Sequence, residues 1–413
     1  MSKSITDRTR THRGDRNVLV LALQTFLRGI SSTMMRAIWQ PFVLSLGASM
    51  PILGLLESLG GFHGVVTSLI QPIGGWLSDR RGRKSLLVLG MVMSMVALSL
   101  YALAGYLWNW YLLIPGVLFL GLASIARPVK DSMVAESAVG QERARIYSLT
   151  TVGYAAAGVF AAILAGLMAD RWGFSPVFLV GLCVEIAAVV LVARFTVETL
   201  GPNNQRTISW HGLAETLRNI LVPPVKLRSF YIATTLDSFV WGLGAGILFG
   251  MLSQTYGFSA TQFGILSSIF SLSWALSQMP IGRLIERHGR IRFMVISELL
   301  GVVMMAGWLF SSRFESFAAL QILNGLVPAT WVPAVLAWLS DQVPDERRAE
   351  EMGRLGAFRG VLSFPAPYIG GLVFERWGLR APVMISMIGA LSVALFLWRF
   401  VPEAKSEEVD AQG

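Results

Sequence analysis

The sequence predicts an all-α polytopic membrane protein: twelve transmembrane helices in two pseudo-symmetric six-helix bundles, with both termini cytoplasmic. Three observations predict it. Apolar segments long enough to cross a bilayer follow one another along the chain. Basic residues collect in alternate connections between them. Short motifs recur at a nearly constant offset of about 205 residues.

The composition sets the class. Of 413 residues, 54% are hydrophobic and only 14% are charged, against roughly 25% charged in an ordinary soluble domain. A surface so poor in charge meets lipid over most of its area. Segments of roughly 20–30 residues, each able to cross about 30 Å of hydrocarbon, lie near 17–46, 50–77, 85–107, 110–138, 146–170, 174–197, 228–256, 259–284, 290–312, 315–341, 352–375 and 379–401. They must be helices, because lipid offers no partner to an unpaired backbone N–H or C=O. The polar segment 1–16 reads as a cytoplasmic tail with no secretory signal pattern.

Orientation follows from the positive charges. With a cytoplasmic N-terminus, 25 of the 34 Lys and Arg fall on the inner side and four outside (Arg171, Arg313, Arg376 and Arg380), the other five lying within spans. That imbalance places both termini inside. The net charge of +9 is thus a matter of lipid headgroups and topology. Its dispersal between apolar spans excludes a nucleic-acid face. One cysteine, Cys183, and four scattered histidines leave no disulfide framework and no metal cluster. No phosphate-cradling Gly-x-x-x-x-Gly-Lys-Ser/Thr loop occurs. Neither an enzyme nor a protein with a resident cofactor is expected, since no nucleophile–base set converges in the motifs.

The connection 198–227 is the long polar one. Within it, Thr207 to Val222 reads as an amphipathic helix with Trp210, Leu213, Leu217 and Leu221 on one side, ended by Pro223 and Pro224. It divides bundles 17–197 and 228–401, and 402–413 forms a cytoplasmic tail.

The repeat makes the halves equivalent. Gly75, Leu77, Asp79, Arg80, Gly82 and Arg83 recur as Gly282, Leu284, Glu286, Arg287, Gly289 and Arg290, an offset of 207. Glu136 and Arg143 recur as Asp341 and Arg348, and Asp170-Arg171-Trp172-Gly173 recurs as Glu375-Arg376-Trp377-Gly378, both at 205. Six spans per half, an even number, relate the halves by an axis along the membrane normal. Gly75 to Lys84 resembles the loop 2–3 signature of the major facilitator superfamily, Gly-x-Leu-x-Asp-Arg-x-Gly-Arg-Lys, at every defined position. The second copy carries Glu286 for Asp and Ile291 for the final Lys. The acid-x6-Arg pairs after spans 4 and 10 resemble that family too.

A carboxylate at a helix end beside arginines is suited to a basic loop or to a neighbouring helix N-terminus. Asp79 and Glu286 are placed for that, with Gly82 and Gly289 making the turn. The resemblance implies that these groups, with Glu136, Arg143, Asp341 and Arg348, form a cytoplasmic latch between the halves. The positive-inside rule alone accounts for the arginines but not for the repeated acids.

The resemblance also implies alternating-access transport of a small solute through a cavity lined by spans 1, 4, 7 and 10, in a monomer of the cell membrane, with or without a coupled proton or other ion. Charged groups inside the bilayer need a partner or a wet cavity. Arg28 and Asp237 fall at comparable depth on the paired spans 1 and 7, where a central ion pair and a split substrate site both fit. Arg36 is a second cavity cation or an outward-facing residue. Arg127, Lys130 and Asp131 group near the inner end of span 4, where Arg127 and Asp131 at i,i+4 also suit a local salt bridge. Gln24, Gln40, Trp39, Trp241, Asn324 and Trp331 suit cavity contacts or packing. His63 suits packing more than titration, and nothing in the sequence accounts for Glu185 and Glu298.

Cavity cations outnumber acids, which favours an anionic or zwitterionic metabolite. The alternative is a proton-coupled exporter of lipophilic or cationic compounds, with Asp237 as proton carrier. Span 5 carries Ala157-Gly158-Val159-Phe160, without the proline of the Gly-Pro-x-x-Gly-Gly-like motif that the family's drug antiporters carry. A non-transporting sensor would be expected to add a soluble domain, and only the short tails and the linker are available for one.

Overall fold

A computed structural model describes residues 2–61, 64–137, 142–200, 222–344 and 347–403. The expected amphipathic linker helix, His63 and the tail beyond Glu403 lie outside the described residues. Helices α1 (Ser2–Ser45), α2 (Met50–Gly60), α3 (Val65–Arg81), α4 (Arg83–Leu107), α5 (Leu113–Ala123), α6 (Ala126–Ser137), α7 (Glu142–Trp172) and α8 (Phe174–Phe195) precede the linker. After it come α9 (Arg228–Leu243), α10 (Leu248–Tyr256), α11 (Ala260–His288), α12 (Arg290–Phe310), α13 (Phe314–Gln342), α14 (Arg348–Ser363), α15 (Ala366–Trp377) and α16 (Arg380–Phe400). No strand occurs among the described residues. Nine helical stretches there are long and apolar enough to cross a membrane. The other three segments predicted to span fall on α7, α11 and the α14–α15 pair.

Four spans are broken helices, and the breaks follow local chemistry. Span 4 divides between α5 and α6, where Pro128 lacks the N–H that would bond the Ser124 carbonyl, and Arg127 donates to that carbonyl instead at 3.1 Å. Span 11 divides at Phe364–Pro365, between α14 and α15. Span 7 divides at Gly244, and a short 3-10 turn (Ala245–Ile247) joins α9 to α10. Span 2 divides between α2 and α3. Breaks of this kind leave backbone and side-chain polar groups at membrane depth, where they suit a protein-lined or wet environment.

The chain forms two compact units. Unit 1 comprises Met1–Ala48, Leu59–Thr216 and Ser259–Ser268. Unit 2 comprises Ser49–Ser58, Leu217–Phe258 and Ile269–Gly413. Leu21, Leu87, Met91, Val129, Ala188 and Val192 build the core of unit 1 from α1, α4, α6 and α8. An aromatic group of Trp39, Phe42, Tyr101 and Phe178 extends it, with centroids of 4.7 Å for Trp39–Tyr101 and 4.6 Å for Phe42–Phe178. Within unit 1, α7 also meets the start of α11 through glycine. A Cβ at Gly166 would come within 2.4 Å of the Ala260 carbonyl oxygen, and one at Gly264 within 2.4 Å of that of Ala162.

Unit 2 centres on Phe230 stacked on Trp338 at 4.0 Å, whose indole N–H donates to the Pro402 carbonyl at 2.9 Å. Here α2 and α15 make the matching approach, through Gly54 against Pro367 and Gly371 against Met50.

Candidate functional site

The loop motifs organise each unit separately. In unit 1 the turn between α3 and α4 is made by Gly82 at φ 94°, a left-handed conformation that a side chain would strain. A Cβ there would also meet the Glu198 carboxylate at 2.9 Å. Glu198 caps α4: its Oε1 accepts from the Arg83 N–H at 3.0 Å and its Oε2 from Lys84 N–H at 3.0 Å. The Thr199 and Leu200 N–H groups donate to the same carboxylate. Although burial raises its pKa, these backbone donors hold the Glu198 carboxyl below the usual carboxylate range. The Arg83 side chain pairs with Glu136.

Unit 2 repeats the arrangement. Gly289 turns at φ 101°, and Glu403 accepts from the N–H groups of Arg290 and Ile291. Arg290 pairs with Asp341 at 3.1 Å.

The N-termini of α4 and α12 are thus capped by Glu198 and Glu403, because the chain leaving the last helix of each half returns a carboxylate there. Glu286 and Arg287 are exposed, and the Asp79 and Arg143 side chains lie outside the described ones. Arg348 donates to the Ser340 carbonyl at 3.1 Å. Arg80 lies 4.1 Å over the Trp76 ring and donates to the Trp76 carbonyl at 2.7 Å. Gly75 and Gly282 have room around them. The partners found for Glu136 and Asp341, Arg83 and Arg290, are in their own units. The sequence held a signal for the missed caps: Arg194-Phe195-x-x-Glu198 recurs as Arg399-Phe400-x-x-Glu403, at an offset of 205.

Deeper in unit 1, cations converge on Tyr154 of α7. Its hydroxyl lies 2.8 Å from that of Ser32, and it interacts electrostatically with Arg36, Arg28 and Arg127. Arg127 and Lys130, placed at the start of α6 by the break at Pro128, are mutually repulsive with Arg28 and attracted to Asp131. Lys130 Nζ reaches Thr25 Oγ1 at 3.5 Å. Arg36, Arg127 and Asp131 are exposed, and Arg28 and Lys130 are partly so. Glu185 on α8, only 2% exposed, faces Arg28. Gln24, one turn before Arg28, is fully buried and its amide has no bonding partner among the described residues. Gln40 is half-buried in α1.

Unit 2 holds the second cluster. Asp237 on α9 accepts from Arg359 Nη2 on α14 at 3.2 Å, and Ser238 Oγ accepts from Arg359 Nε at 2.8 Å. Glu298 on α12, only 1% exposed, interacts electrostatically with Asp237 and Arg359 and lies near Trp241, whose ring meets Gly301. The unexplained acid of span 9 therefore belongs with Asp237. Trp331 is part of the unit 2 core, and Asn324 donates to Gln321 on its own helix at 2.6 Å. Arg359 and Tyr154, each central to its cluster, are themselves separated by 205 residues.

Comparison with known proteins places this architecture. The Major Facilitator Superfamily profile matches residues 21–243 and 230–413. Multidrug resistance protein MdtG of Serratia proteamaculans is 22% identical over 393 residues, covering 93% of both chains, and that of Citrobacter koseri is 22% identical over 394, covering 93% of this chain and 94% of the relative. Among solved structures, a POT family transporter superposes with a TM-score of 0.75 at 13% identity, over 94% of this chain and 96% of its own. The nucleoside transporter NupG gives 0.71 at 14%, over 93% and 98%. The human organic anion transporter MFSD10 gives 0.68 at 17%, over 93% and 99%. Two repeated six-span halves, the paired loop motifs and a match along essentially the whole chain show that this multi-pass membrane protein belongs to the Major Facilitator Superfamily.

Proposed function

We propose that this transporter moves an organic anion or zwitterion by alternating access, with Arg28, Arg127, Lys130 and the Tyr154 hydroxyl as the anion-binding groups. The observation that carries the reading is the charge imbalance around Tyr154. Four cations, Arg28, Arg36, Arg127 and Lys130, stand against the exposed carboxylate of Asp131 and the buried carboxyl of Glu185. Cations that repel one another at membrane depth are costly unless a countercharge arrives. Arginine also offers the planar fork that fits a carboxylate or phosphate in two places at once. An anion entering this group relieves the repulsion, so binding and specificity come from one term. Ser32 and Tyr154 add neutral hydrogen-bonding capacity, and Asp131 would receive the ammonium of a zwitterion.

The second reading is export of lipophilic or cationic compounds. It is favoured by the MdtG relatives, whose name is that of a multidrug resistance protein, and by the buried carboxylate of Asp237.

Thermal unfolding of the purified protein against a panel of organic anions and lipophilic cations separates the two. A ligand at one hundred times its Kd stabilises by about 2.7 kcal/mol. Stabilisation by anions, abolished in Arg28→Gln and in Arg127→Gln, is the expected result. Stabilisation by cations alone, abolished in Asp237→Asn, would establish the exporter instead.

A further inference from the structure

We infer that the Asp170 carboxylate is a latch that holds the start of α11 to the end of α7, and that the transport cycle opens it each time the outer ends of these helices part. The inference rests on the transporter reading but not on the identity of its solute.

The latch is built from direct contacts. Asp170 stands in the last turn of α7, at the end that the distribution of Lys and Arg places outside. Its Oδ1 accepts from the Ala260 N–H at 2.9 Å and its Oδ2 from the Thr261 N–H at 2.8 Å. A helix start leaves its first N–H groups without intrahelical partners and attracts negative charge. The next two donors of α11 are met locally. Gln262 N–H donates to Ser259 Oγ at 3.2 Å, and Phe263 N–H to the Ser259 carbonyl at 3.1 Å. The first two are those that Asp170 takes. Behind it Gly166 and Gly264 allow the helices to close together, and Ser268 Oγ donates to the Val159 carbonyl. After Ser268, α11 passes from unit 1 to unit 2, and beyond that point Leu272, Leu276 and Met279 are exposed.

The repeat isolates the polar element. The start of α2 matches that of α11 at an offset of 210. Gly47 and Gly257 both turn at positive φ, and Leu53 N–H donates to the Ser49 carbonyl as Phe263 N–H does to that of Ser259. The glycine approach recurs as well. A Cβ at Gly371 of α15 would lie 2.4 Å from the Met50 carbonyl oxygen, as one at Gly166 would from that of Ala260. Glu375 matches Asp170, but Thr261 is matched by Pro51, which has no N–H to donate. The close helix seam is therefore present twice and the two-donor latch once. Exposed charged contacts contribute little, because water replaces either partner. The latch thus biases the outer ends towards closure without locking them, as a step repeated in every cycle requires.

Distances between nitroxide labels read the latch without any solute. Labels go at Trp172→Cys, at the end of α7, and at Thr255→Cys, in the last turn of α10, both exposed. The full-length protein carries Cys183→Ser and is placed in lipid vesicles. Double electron–electron resonance then gives the populations with these ends near and apart. Asp170→Ala is expected to raise the separated population roughly two-fold, the lower end of capping effects. Thr261→Pro copies Pro51 and suits the first turn of a helix. It is expected to do the same, and the two together no more than either alone. Glu375→Ala is expected to change nothing. Unchanged distances in Asp170→Ala overturn the inference, as does an equal shift in Glu375→Ala. Faster amide exchange in the first turn of α11 with unmoved distances would make Asp170 a helix cap only, and overturns it too. Asp170 is exposed, so its variant decides the matter if Thr261→Pro does not fold. Unmoved distances with anion stabilisation retained sink the latch and leave the anion reading standing. Shifted distances in a protein that no anion stabilises do the reverse.

Discussion

Glu198 shows what one carboxylate does at a helix start and how its effect depends on pH. Its folded pKa lies below the ordinary glutamate value of about 4.3, so its contribution to stability is complete above that value. It is lost as the pH falls through the lower folded value. Glu198→Gln keeps one acceptor but places an amide donor against the backbone donors. Capping losses are typically about 1 kcal/mol, and the exposure of this group puts it at the lower end. The expected outcome is a lowered melting temperature at neutral pH. The difference from wild type shrinks as the pH is taken below about 4, and melting curves across that range check it. The carboxylate was legible only as the end of a repeated Arg-Phe-x-x-Glu pattern. The partner of Asp237 was not legible at all: Arg359 stands 122 positions away, and no spacing rule reaches from one helix to another.

At the scale of elements, the twelve segments were legible because lipid imposes length and apolarity on each. Their interruptions were less so. Span 4 reads as continuous over 110–138, and the break before Pro128 that sets Arg127 and Lys130 at a helix start is a matter of one missing N–H. Close approaches between helices were also hidden, since a glycine in an apolar run looks the same wherever it points. Gly166 and Gly153 both lie on α7 and make the contrast testable. A methyl at Gly166 meets the Ala260 carbonyl at 2.4 Å, whereas one at Gly153 finds only Phe26 at 4.0 Å. Overpacking costs about 1–3 kcal/mol, and glycine-to-alanine in a helix gains up to about 1 kcal/mol where space allows. Gly166→Ala is therefore expected to lower the melting temperature, and Gly153→Ala to leave it unchanged or raise it. Equal effects of the two would show that the α7–α11 approach does not limit stability.

For the whole molecule, the repeat preserves the scaffold and lets the chemistry diverge. Both units carry the glycine turn, the returning carboxylate and the Arg–acid pair, at offsets of 205 to 207. Between those fixed points, the positions that hold Arg28 and Tyr154 in unit 1 are filled near Asp237 and by Arg359 in unit 2. One sequence-related pair thus gathers cations and the other gathers acids around a single cation. That division was half legible: Arg28 and Asp237 stood out by their depth, while Glu298 and Glu185 made sense only once the helices beside them were placed. If each scaffold device serves its own unit, its loss is felt locally. Glu198→Gln is expected to speed amide hydrogen exchange in the first turn of α4 and leave the first turn of α12 unchanged, while Glu403→Gln does the reverse. Exchange reports the free energy of local opening, so an uncapped turn that loses about 0.5 kcal/mol, the lower end of capping losses, exchanges roughly two-fold faster while the other keeps its rate. Parallel acceleration of both turns by either substitution would mean that the two units open as one, and that the repeated carboxylates stabilise the assembly rather than the helix each one caps.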